Sequence, residues 1–420
     1  MDEIKLEKAV LAGLSADSME ERERSTDETM DELEQLLNTA GGESFGRVLQ
    51  NRHAPDPRTF IGDGKVAELK EIIDANECTL AVFDNELSPS QMRALSEDLG
   101  VRVIDRSSLI LDIFAQRAQT KEGRLQVELA QYKYLLPRLT GMWTHLVRQT
   151  ASSSPIGTRG PGETQLETDR RHIRRRISKL EEELEEVRRV RATQRRKREK
   201  NGMPVVSLVG YTNAGKSTLL NYLTLAGIQA NDRLFDTLDT TTRRLRINDN
   251  QEVLLTDTVG FIRKLPHHLV EAFKATLEEL AFADVLLHVI DASNPSWREQ
   301  AEVVESLITQ LDADKTPRIN VYNKCDLVRD ELLPRDDRSV RISALTGEGT
   351  DELLRVIGEI VDKGKKRVVL HIPYDKSGLL DQLHRDSQMI STNFLDNYIA
   401  VEAVLNPDLY GRLKEYVAEV

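Results

Sequence analysis

Cysteine and long apolar runs are both scarce in this sequence. Cys78 and Cys325 are its only cysteines, and they lie far apart, without the spacing of a metal site or the density of a secreted disulfide scaffold. No run of about 18 apolar residues occurs, and the N-terminus lacks a basic segment followed by a long apolar one. We therefore expect a cytoplasmic protein that is not secreted and does not span a membrane.

Positive charge is in deficit overall, because the net charge of the chain is −12. That total argues against a nucleic-acid-binding surface over the whole molecule, but it can hide a local basic region. Between Gln165 and Lys200 the chain has fourteen lysines and arginines against eight acidic residues, so any contact with nucleic acid should be local. With 39% hydrophobic and 30% charged residues over 420 positions, the composition is that of a globular protein with several domains.

The first part of the chain, residues 1–121, alternates apolar runs with amphipathic stretches, which predicts an α/β domain. LEKAVLAGL, TLAVFDN and VRVIDR have the pattern of strands, and DELEQLLNTA and PSQMRALSEDL that of helices. Buried parallel strands carry continuous apolar runs, so we expect a mostly parallel sheet with helical crossovers. At the other end, residues 367–420 show two strand and two helix patterns, which predicts a small α+β domain.

Residues 122–200 change to a heptad period, which predicts a hairpin of two helices joined by a glycine-rich tip. The seams consist of Leu125, Leu129, Tyr132, Leu136, Leu139, Trp143 and Leu146, and of Ile173, Ile177, Leu180, Leu184 and Val187. Pro137 should kink or break the first helix, because proline lacks the backbone donor. Two interpretations stay open: helices with a solvated charged face, or an arm whose tip, with Arg159 among glycines, enters a polyanionic RNA cavity.

The segment GYTNAGKS, Gly210 to Ser217, matches the eight-position phosphate-binding loop. It stands between the apolar strand VVSLV and a helix that should begin near Thr218, which is the context that such a loop requires. Its glycines would let the backbone wrap the phosphates, Lys216 would span the terminal phosphates, and the Ser217 hydroxyl would ligate Mg²⁺. The segment predicts a P-loop nucleotide site in a domain that covers residues 203–366.

A second motif, DTVG, follows the apolar strand EVLLT some forty residues later. Asp257 would hold Mg²⁺ through water, and the Gly260 amide would sense the terminal phosphate. Between the two motifs, the polar stretch FDTLDTTTRR should close over that phosphate and supply a threonine ligand for Mg²⁺. The favoured threonine is Thr237, and the alternatives are Thr240, Thr241 and Thr242.

The base is predicted by NKCD, which directly follows the strand RINVY. The carboxylate of Asp326 would accept hydrogen bonds from N1 and the exocyclic amine of guanine, whereas adenine lacks that amine and would leave the acceptor unpaired. Asn323 and Lys324 would brace the loop and cover the base, and Ser343 with Ala344 would supply a backbone contact to the guanine oxygen. GTP and GDP are therefore the expected ligands.

A glutamine that orients the attacking water is missing after DTVG, where this sequence has Phe261. A phenyl ring cannot position water by hydrogen bonding. Because phosphoryl transfer depends mainly on positioning and electrostatic stabilisation, we expect slow intrinsic turnover that another residue or an external partner accelerates.

Beyond these motifs, the sequence resembles the HflX family of translational GTPases over almost its whole length. The resemblance is carried by FIGDGK, DNELSPSQ, IDRSSLILDIFAQRA, EGRLQVELAQYKYLLPRL and GTRGPGETQLETDRR, and the apolar residue at Phe261 is also similar to family usage. The sequence departs from the family pattern at TASSSP before the tip, where many relatives have more glycine. The resemblance implies a P-loop GTPase domain with a doubly wound, mostly parallel sheet.

The resemblance also implies binding of the large ribosomal subunit, with contacts to ribosomal RNA near the peptidyl transferase centre and, in some members, splitting of stalled ribosomes under stress. RNA contacts are expected from Arg159, Arg170, Arg171 and Arg174. Nucleotide contacts are expected from Gly210, Tyr211, Thr212, Asn213, Ala214, Gly215, Lys216, Ser217, Thr218, Phe235, Asp236, Thr237, Leu238, Asp239, Asp257, Thr258, Val259, Gly260, Asn323, Lys324, Asp326, Ser343 and Ala344. Catalysis is expected from Lys216, Thr237 and Gly260, and Mg²⁺ binding from Ser217, Thr237 and Asp257.

Two further hypotheses compete with parts of this interpretation. For some relatives an ATP-dependent activity of the N-terminal domain is suggested, but GDGK at Gly62–Lys65 lacks the eight-position loop, and we expect a turn that starts a helix. For the whole chain, the alternative is a GTP-dependent scaffold that binds a protein partner, with hydrolysis setting only its lifetime. The binding motifs are self-contained, so a monomer is expected.

Overall fold

The computed structural model describes residues 6–142, 161–200, 203–224, 234–235, 238, 240–248, 251–266, 269–271, 273, 277–328, 333–334, 336, 338–362, 366–405 and 407–418. The contacts divide the chain into two compact units. The first unit consists of Met1–Glu186, Gln229–Asp239 and Val259–Thr276, and the second of Val187–Ile228, Thr240–Thr258 and Leu277–Val420. Two stretches of the predicted nucleotide domain thus group with N-terminal residues, and the four domain bounds drawn from the sequence stay a prediction.

The first unit contains a parallel sheet with helical crossovers, as the sequence predicts. Its strands are β1 (Glu7–Ala16), β2 (Gly42–Arg52), β3 (Leu80–Phe83) and β4 (Arg102–Asp105). Its crossover helices are α1 (Asp27–Ala40), α2 (Asp63–Asn76), α3 (Pro89–Leu99) and α4 (Arg106–Arg117). The strands lie in the order β2-β1-β3-β4, and each neighbouring pair is parallel.

Local sequence explains where these helices begin and end. Thr26 precedes α1 and Ser88 precedes α3, and each side chain accepts a hydrogen bond from the backbone N–H three residues later in a reciprocal capping box. Both helices end at a glycine in the left-handed region, with φ of 92° at Gly41 and 76° at Gly100. The GDGK segment begins α2, with Gly62 as its N-cap residue, so the predicted helix start is confirmed.

Strand β2 has no counterpart in the sequence prediction. It lies at the edge of the sheet, and most of its residues are exposed or half-buried, so GESFGRVLQNR has no continuous apolar run to mark it. The central strand β1, in contrast, is almost wholly buried and was recognised from its apolar run.

Helices α5 (Lys121–Met142) and α6 (Pro161–Lys200) carry the two heptad seams. Leu125, Leu129, Leu180 and Leu184 form one buried cluster, with Tyr132 and Ile177 packed against it, which confirms that the seams meet. Trp143 and Leu146 lie outside the described residues. Helix α5 continues through Pro137 to Met142, so the predicted break is wrong, and the alternative, a kink at this residue, stays a prediction.

The second unit contains a six-stranded sheet. Its strands are β5 (Val205–Gly210), β6 (Thr241–Asn248), β7 (Gln251–Asp257), β8 (Val285–Asp291), β9 (Arg318–Asn323) and β10 (Ser339–Arg341), and its helices include α7 (Lys216–Thr224), α8 (Trp297–Gln310) and α9 (Thr350–Val361). The order is β10-β9-β8-β5-β7-β6, and only β6 is antiparallel to its neighbour. The phosphate loop therefore begins at the carboxyl end of a central strand, where open α/β sheets bind ligands.

The C-terminal residues form a three-stranded antiparallel sheet. It consists of β11 (Lys366–Pro373), β12 (Gln388–Phe394) and β13 (Tyr398–Leu405) in the order β11-β13-β12, with helices α10 (Gly378–Asp386) and α11 (Pro407–Leu413). The sequence analysis missed β12, a polar edge strand. Within the described ranges, every helix is too short or too polar to cross a membrane.

We predict that Leu180→Ala loosens the contact between α5 and α6, because Leu180 is fully buried in their shared cluster. Truncation of a buried leucine costs about 2–5 kcal/mol, and the loss should appear as faster hydrogen exchange along α6. The matched control is Leu135→Ala on α5, where the side chain is 40% exposed. Equal exchange in the two variants would contradict the cluster's stabilising role.

Candidate nucleotide-binding site

The phosphate loop follows β5 and leads directly into α7, so strand and helix fix both of its ends. The backbone is left-handed at Asn213, with φ of 60°, and at Gly215, with φ of 93°. A Cβ atom at Gly210 would lie 2.2 Å from the carbonyl oxygen of Val289, and one at Gly215 would lie 2.2 Å from Nδ2 of Asn323. Both positions therefore require glycine, which agrees with the pattern that predicts the loop.

Lys216 lies inside this loop and is 6% exposed. Its Nζ donates hydrogen bonds to the carbonyl oxygens of Gly210, at 3.1 Å, and Tyr211, at 2.7 Å. Burial lowers the pKa of Lys216 to about 8, against the opposing effect of the Asp257 carboxylate. Two carbonyl groups of the phosphate loop therefore fix the position of the lysine side chain.

Ser217 and Asp257, which the sequence places forty residues apart, are brought together. The hydroxyl of Ser217 donates to Oδ2 of Asp257 at 2.7 Å, and Asp257 is fully buried. The hydroxyl of the adjacent Thr258 donates to the carbonyl oxygen of Leu208 at 2.7 Å, which anchors the start of DTVG to β5. One hydroxyl and one carboxylate suit a magnesium ion that takes its remaining ligands from nucleotide phosphates and water.

The described residues contain no group of three or more His, Cys, Asp or Glu side chains that could hold a metal ion.

Asn323 connects the phosphate loop to the guanine motifs. Its Nδ2 donates to the carbonyl oxygen of Ala214 at 2.8 Å, and its Oδ1 accepts from the backbone N–H of Ala344 at 2.9 Å. The side chain is 2% exposed, so both bonds are shielded from water. One carboxamide therefore fixes the phosphate loop and the SAL segment, which consists of residues 343–345, relative to each other.

Lys324 begins the turn that presents Asp326. It has a left-handed backbone, with φ of 63°, and its Nζ lies 2.7 Å from Oδ2 of Asp291. Asp326 sits exposed in the short 3₁₀ turn Cys325–Leu327, so its carboxylate is accessible to a base. Asp291 was missed in the sequence analysis, although the signal was present in an acidic residue that ends the apolar strand VLLHVID.

The remaining predicted contacts fall in three groups. Ser343 and Ala344 are buried beside Asn323, whereas Phe235, Leu238, Val259 and Gly260 are buried within stretches that belong to the first unit. Asp236, Thr237 and Asp239 lie outside the described residues, so the favoured magnesium threonine stays a prediction.

Of the alternative threonines, Thr241 and Thr242 lie in β6, and the hydroxyl of Thr242 is 3.0 Å from that of Thr256. Both are therefore held in the sheet. Thr240 directly precedes the strand and is half-buried.

The residue after DTVG is packed away from solvent. Phe261 is 1% exposed and belongs to the stretch Val259–Thr276 of the first unit. Phe261, which occupies the position of the water-orienting glutamine of other GTPases, is therefore both apolar and buried.

Three of the four arginines predicted to contact RNA lie in the described part of the chain. Arg159 lies outside the described residues. On α6, Arg171 and Arg174 are exposed and Arg170 is half-buried, and Arg174 is 3.8 Å from Glu167. These three arginines are available at the surface, but their role stays a prediction.

Three family profiles match the chain along its length. They are described as "GTP-binding GTPase N-terminal" for residues 27–115, "GTP-binding GTPase Middle Region" for 117–198 and "50S ribosome-binding GTPase" for 205–324.

Curated relatives are similar over most of the chain. The GTPase HflX of Caldanaerobacter subterraneus subsp. tengcongensis is 47% identical over 412 residues, which is 98% of this chain and 94% of that protein. The GTPase HflX of Escherichia coli K12 is 46% identical, with 85% of each chain covered. The crystal structure of an SsGBP–GDP complex is 25% identical, covers 85% of this chain and 99% of its own, and has a TM-score of 0.48.

The six-stranded sheet, with its phosphate loop at the carboxyl end of β5, defines a P-loop GTPase. GTP binding and hydrolysis follow from that class. The chain belongs to the HflX family of GTPases, as its identity to curated members over almost all of its length shows.

We predict that Asp326→Asn lowers GTP affinity by at least about 100-fold and raises affinity for xanthosine triphosphate, because the amide offers a donor where guanine needs an acceptor. Equilibrium binding of both nucleotides measures the change. Cys325→Ser is the matched control, since it alters the same turn and keeps a donor to the Tyr322 carbonyl oxygen. Unchanged GTP affinity in Asp326→Asn would refute the assignment of the base contact.

Proposed function

We propose that this GTPase binds the large ribosomal subunit and that the ribosome accelerates its GTP hydrolysis. The observation that carries the proposal is the buried Phe261, which leaves the position after DTVG without a group to orient water. A catalytic site without such a group needs one from elsewhere. The description "50S ribosome-binding GTPase" for the profile over residues 205–324 supports the ribosome as its source.

Within this proposal, the phosphate loop and Lys216 bind the phosphates, and Asp326 selects guanine. Ser217, Thr237 and, through water, Asp257 would hold Mg²⁺, which would neutralise charge on the phosphates. The fit rests on the Ser217–Asp257 hydrogen bond, which places a hydroxyl and a buried carboxylate at one point. Gly260 donates its amide to the terminal phosphate.

The exposed arginines of α6 are the proposed contact with ribosomal RNA. Helix α6 has 40 residues, and its part between Arg170 and Arg176 has five arginines, most of them exposed or half-buried. The phosphates of the RNA backbone attract such a group of positive side chains whatever the base sequence is. In the cell, we propose a cytoplasmic, monomeric factor that splits or recycles ribosomes under stress.

We predict that purified large subunits raise the rate of GTP turnover by at least about tenfold, since a supplied catalytic group is worth 10³-fold or more in other GTPases. Turnover is measured with the full chain alone, with large subunits and, as a control, with small subunits at equal RNA concentration. Absence of acceleration, or the same acceleration by small subunits, would contradict the proposal.

Salt dependence separates this function from the alternative, a scaffold that binds a protein partner. We predict that affinity for large subunits falls with salt concentration and that Arg171→Gln with Arg174→Gln reduces the log–log slope by up to about 1.5, because fewer counterions are released. Arg355→Gln with Arg367→Gln is the matched control, as both arginines are exposed and lie far from α6 in sequence. If neither the salt concentration nor the two substitutions in α6 changed the affinity for large subunits, the result would favour the scaffold.

A further inference from the structure

The carboxyl edge of the N-terminal sheet has the position of a ligand site but is filled by side chains of the protein. The strand order β2-β1-β3-β4 changes direction between β1 and β3, and Asp84 is the first residue after β3. Open α/β sheets bind ligands at such a point. Here Ser25 and Thr29 donate their hydroxyls to Oδ2 of Asp84 at 2.6 and 2.9 Å.

Two cations complete the surroundings of Asp84. Nη1 of Arg106 donates to its Oδ1 at 2.7 Å, and Nζ of Lys264 pairs with its Oδ2. Burial alone would raise the pKa of Asp84, but the charges of Arg106 and Lys264 outweigh it and hold the pKa below its usual value. Asp84 is therefore an anion with a fully buried side chain, and Lys264 is one of the two charges that stabilise it.

Lys264 comes from the stretch that follows DTVG, four residues after Gly260. Its backbone is left-handed, with φ of 54°, and its side chain is 10% exposed. Nζ also donates to the hydroxyl of Ser25 at 3.3 Å. A lysine in a strained conformation and out of water is held there by its partners, so the chain around it has little freedom.

Aromatic contacts also hold the stretch that contains Lys264, and they hold Phe235, the first residue of FDTLDTTTRR. Phe114 of α4 meets Phe235 and Phe273 edge to face, with ring centroids 4.7 and 5.3 Å apart. Both stretches that should contact the terminal phosphate thus group with N-terminal residues by their contacts. Lys133 of α5 also lies 3.7 Å from Glu271 and 3.1 Å from Glu181, but its pair with Glu271 is partly exposed and therefore weak.

We infer that Lys264 is a positioning residue for GTP hydrolysis, which Asp84 holds in place so that the chain from Gly260 to Phe261 is fixed. Phosphoryl transfer depends on positioning, and Phe261 offers no polar group of its own. The backbone at Gly260 therefore depends on the contacts that fix the stretch following it, and the buried ion pair between Lys264 and Asp84 is one of these contacts.

This inference rests on the GTPase activity and on the proposed role of the Gly260 amide, and it is independent of the ribosome. The test is single-turnover GTP hydrolysis by the full chain without ribosomes, together with the affinity for GDP. Failure of wild-type protein to bind GDP would count against the nucleotide site itself, whereas the variants below address only Lys264.

We predict that Lys264→Met lowers the maximal single-turnover rate at least fivefold, while the enzyme concentration that gives the half-maximal rate and the GDP affinity stay within twofold. Lys264→Arg should recover most of the rate, because it keeps the charge beside Asp84. The matched control is Lys133→Met, which removes a partly exposed ion pair with Glu271 of the same stretch, together with the pair between Lys133 and Glu181, and should keep the wild-type rate.

An unchanged or raised rate in Lys264→Met would overturn the inference, as would an equal loss in Lys133→Met. If Lys264→Met does not fold, Lys264→Gln replaces it, since glutamine removes the charge that pairs with Asp84 but is polar enough for the buried position. Wild-type GDP affinity would show that this variant is folded. A wild-type rate of hydrolysis in Lys264→Gln would then overturn the inference.

Discussion

The carboxamide of Asn323 is the interaction on which the nucleotide site depends. It bonds Ala214 in the phosphate loop and Ala344 in the SAL segment, so the three motifs of this site share one buried connection. Because Gly215 lies against the same amide, the space for the side chain exists only while that position has no Cβ atom. Phosphate and base recognition are therefore linked through one residue that itself belongs to NKCD.

A comparable connection organises the N-terminal residues. Asp84 joins the hydroxyls of Ser25 and Thr29 to the guanidinium of Arg106, and β4 ends nearby in Asp105, which accepts a hydrogen bond from the hydroxyl of Tyr134 at 2.8 Å. The edge where other α/β sheets take up a ligand is thus occupied by ion pairs of the chain itself. The Gly62 amide, at the start of GDGK, donates to the side chain of Gln50 at 2.8 Å, and the expectation that GDGK binds no phosphate stays a prediction.

Much of this structure was predictable from sequence because its signals are local. The phosphate loop, the capped helices and the apolar central strands can each be recognised from about ten consecutive residues. The heptad seams predicted that two helices pack together, and Leu125 and Leu180 lie in one buried cluster. Edge strands β2 and β12 were missed, since a strand with one free edge needs no continuous apolar run. Asp291 and Lys264 were missed because their partners are distant in sequence or come from another motif.

The interleaved order of the first unit has a consequence for how the chain is made. Its sheet is complete by residue 105, but Lys264 and Phe273, which contact Asp84 and Phe114, are synthesised much later. A ribosome adds about 5–20 residues per second, so the N-terminal domain would wait for many seconds with Asp84 lacking one of its two cations. During translation this domain is an unfinished structure that the GTPase sequence completes.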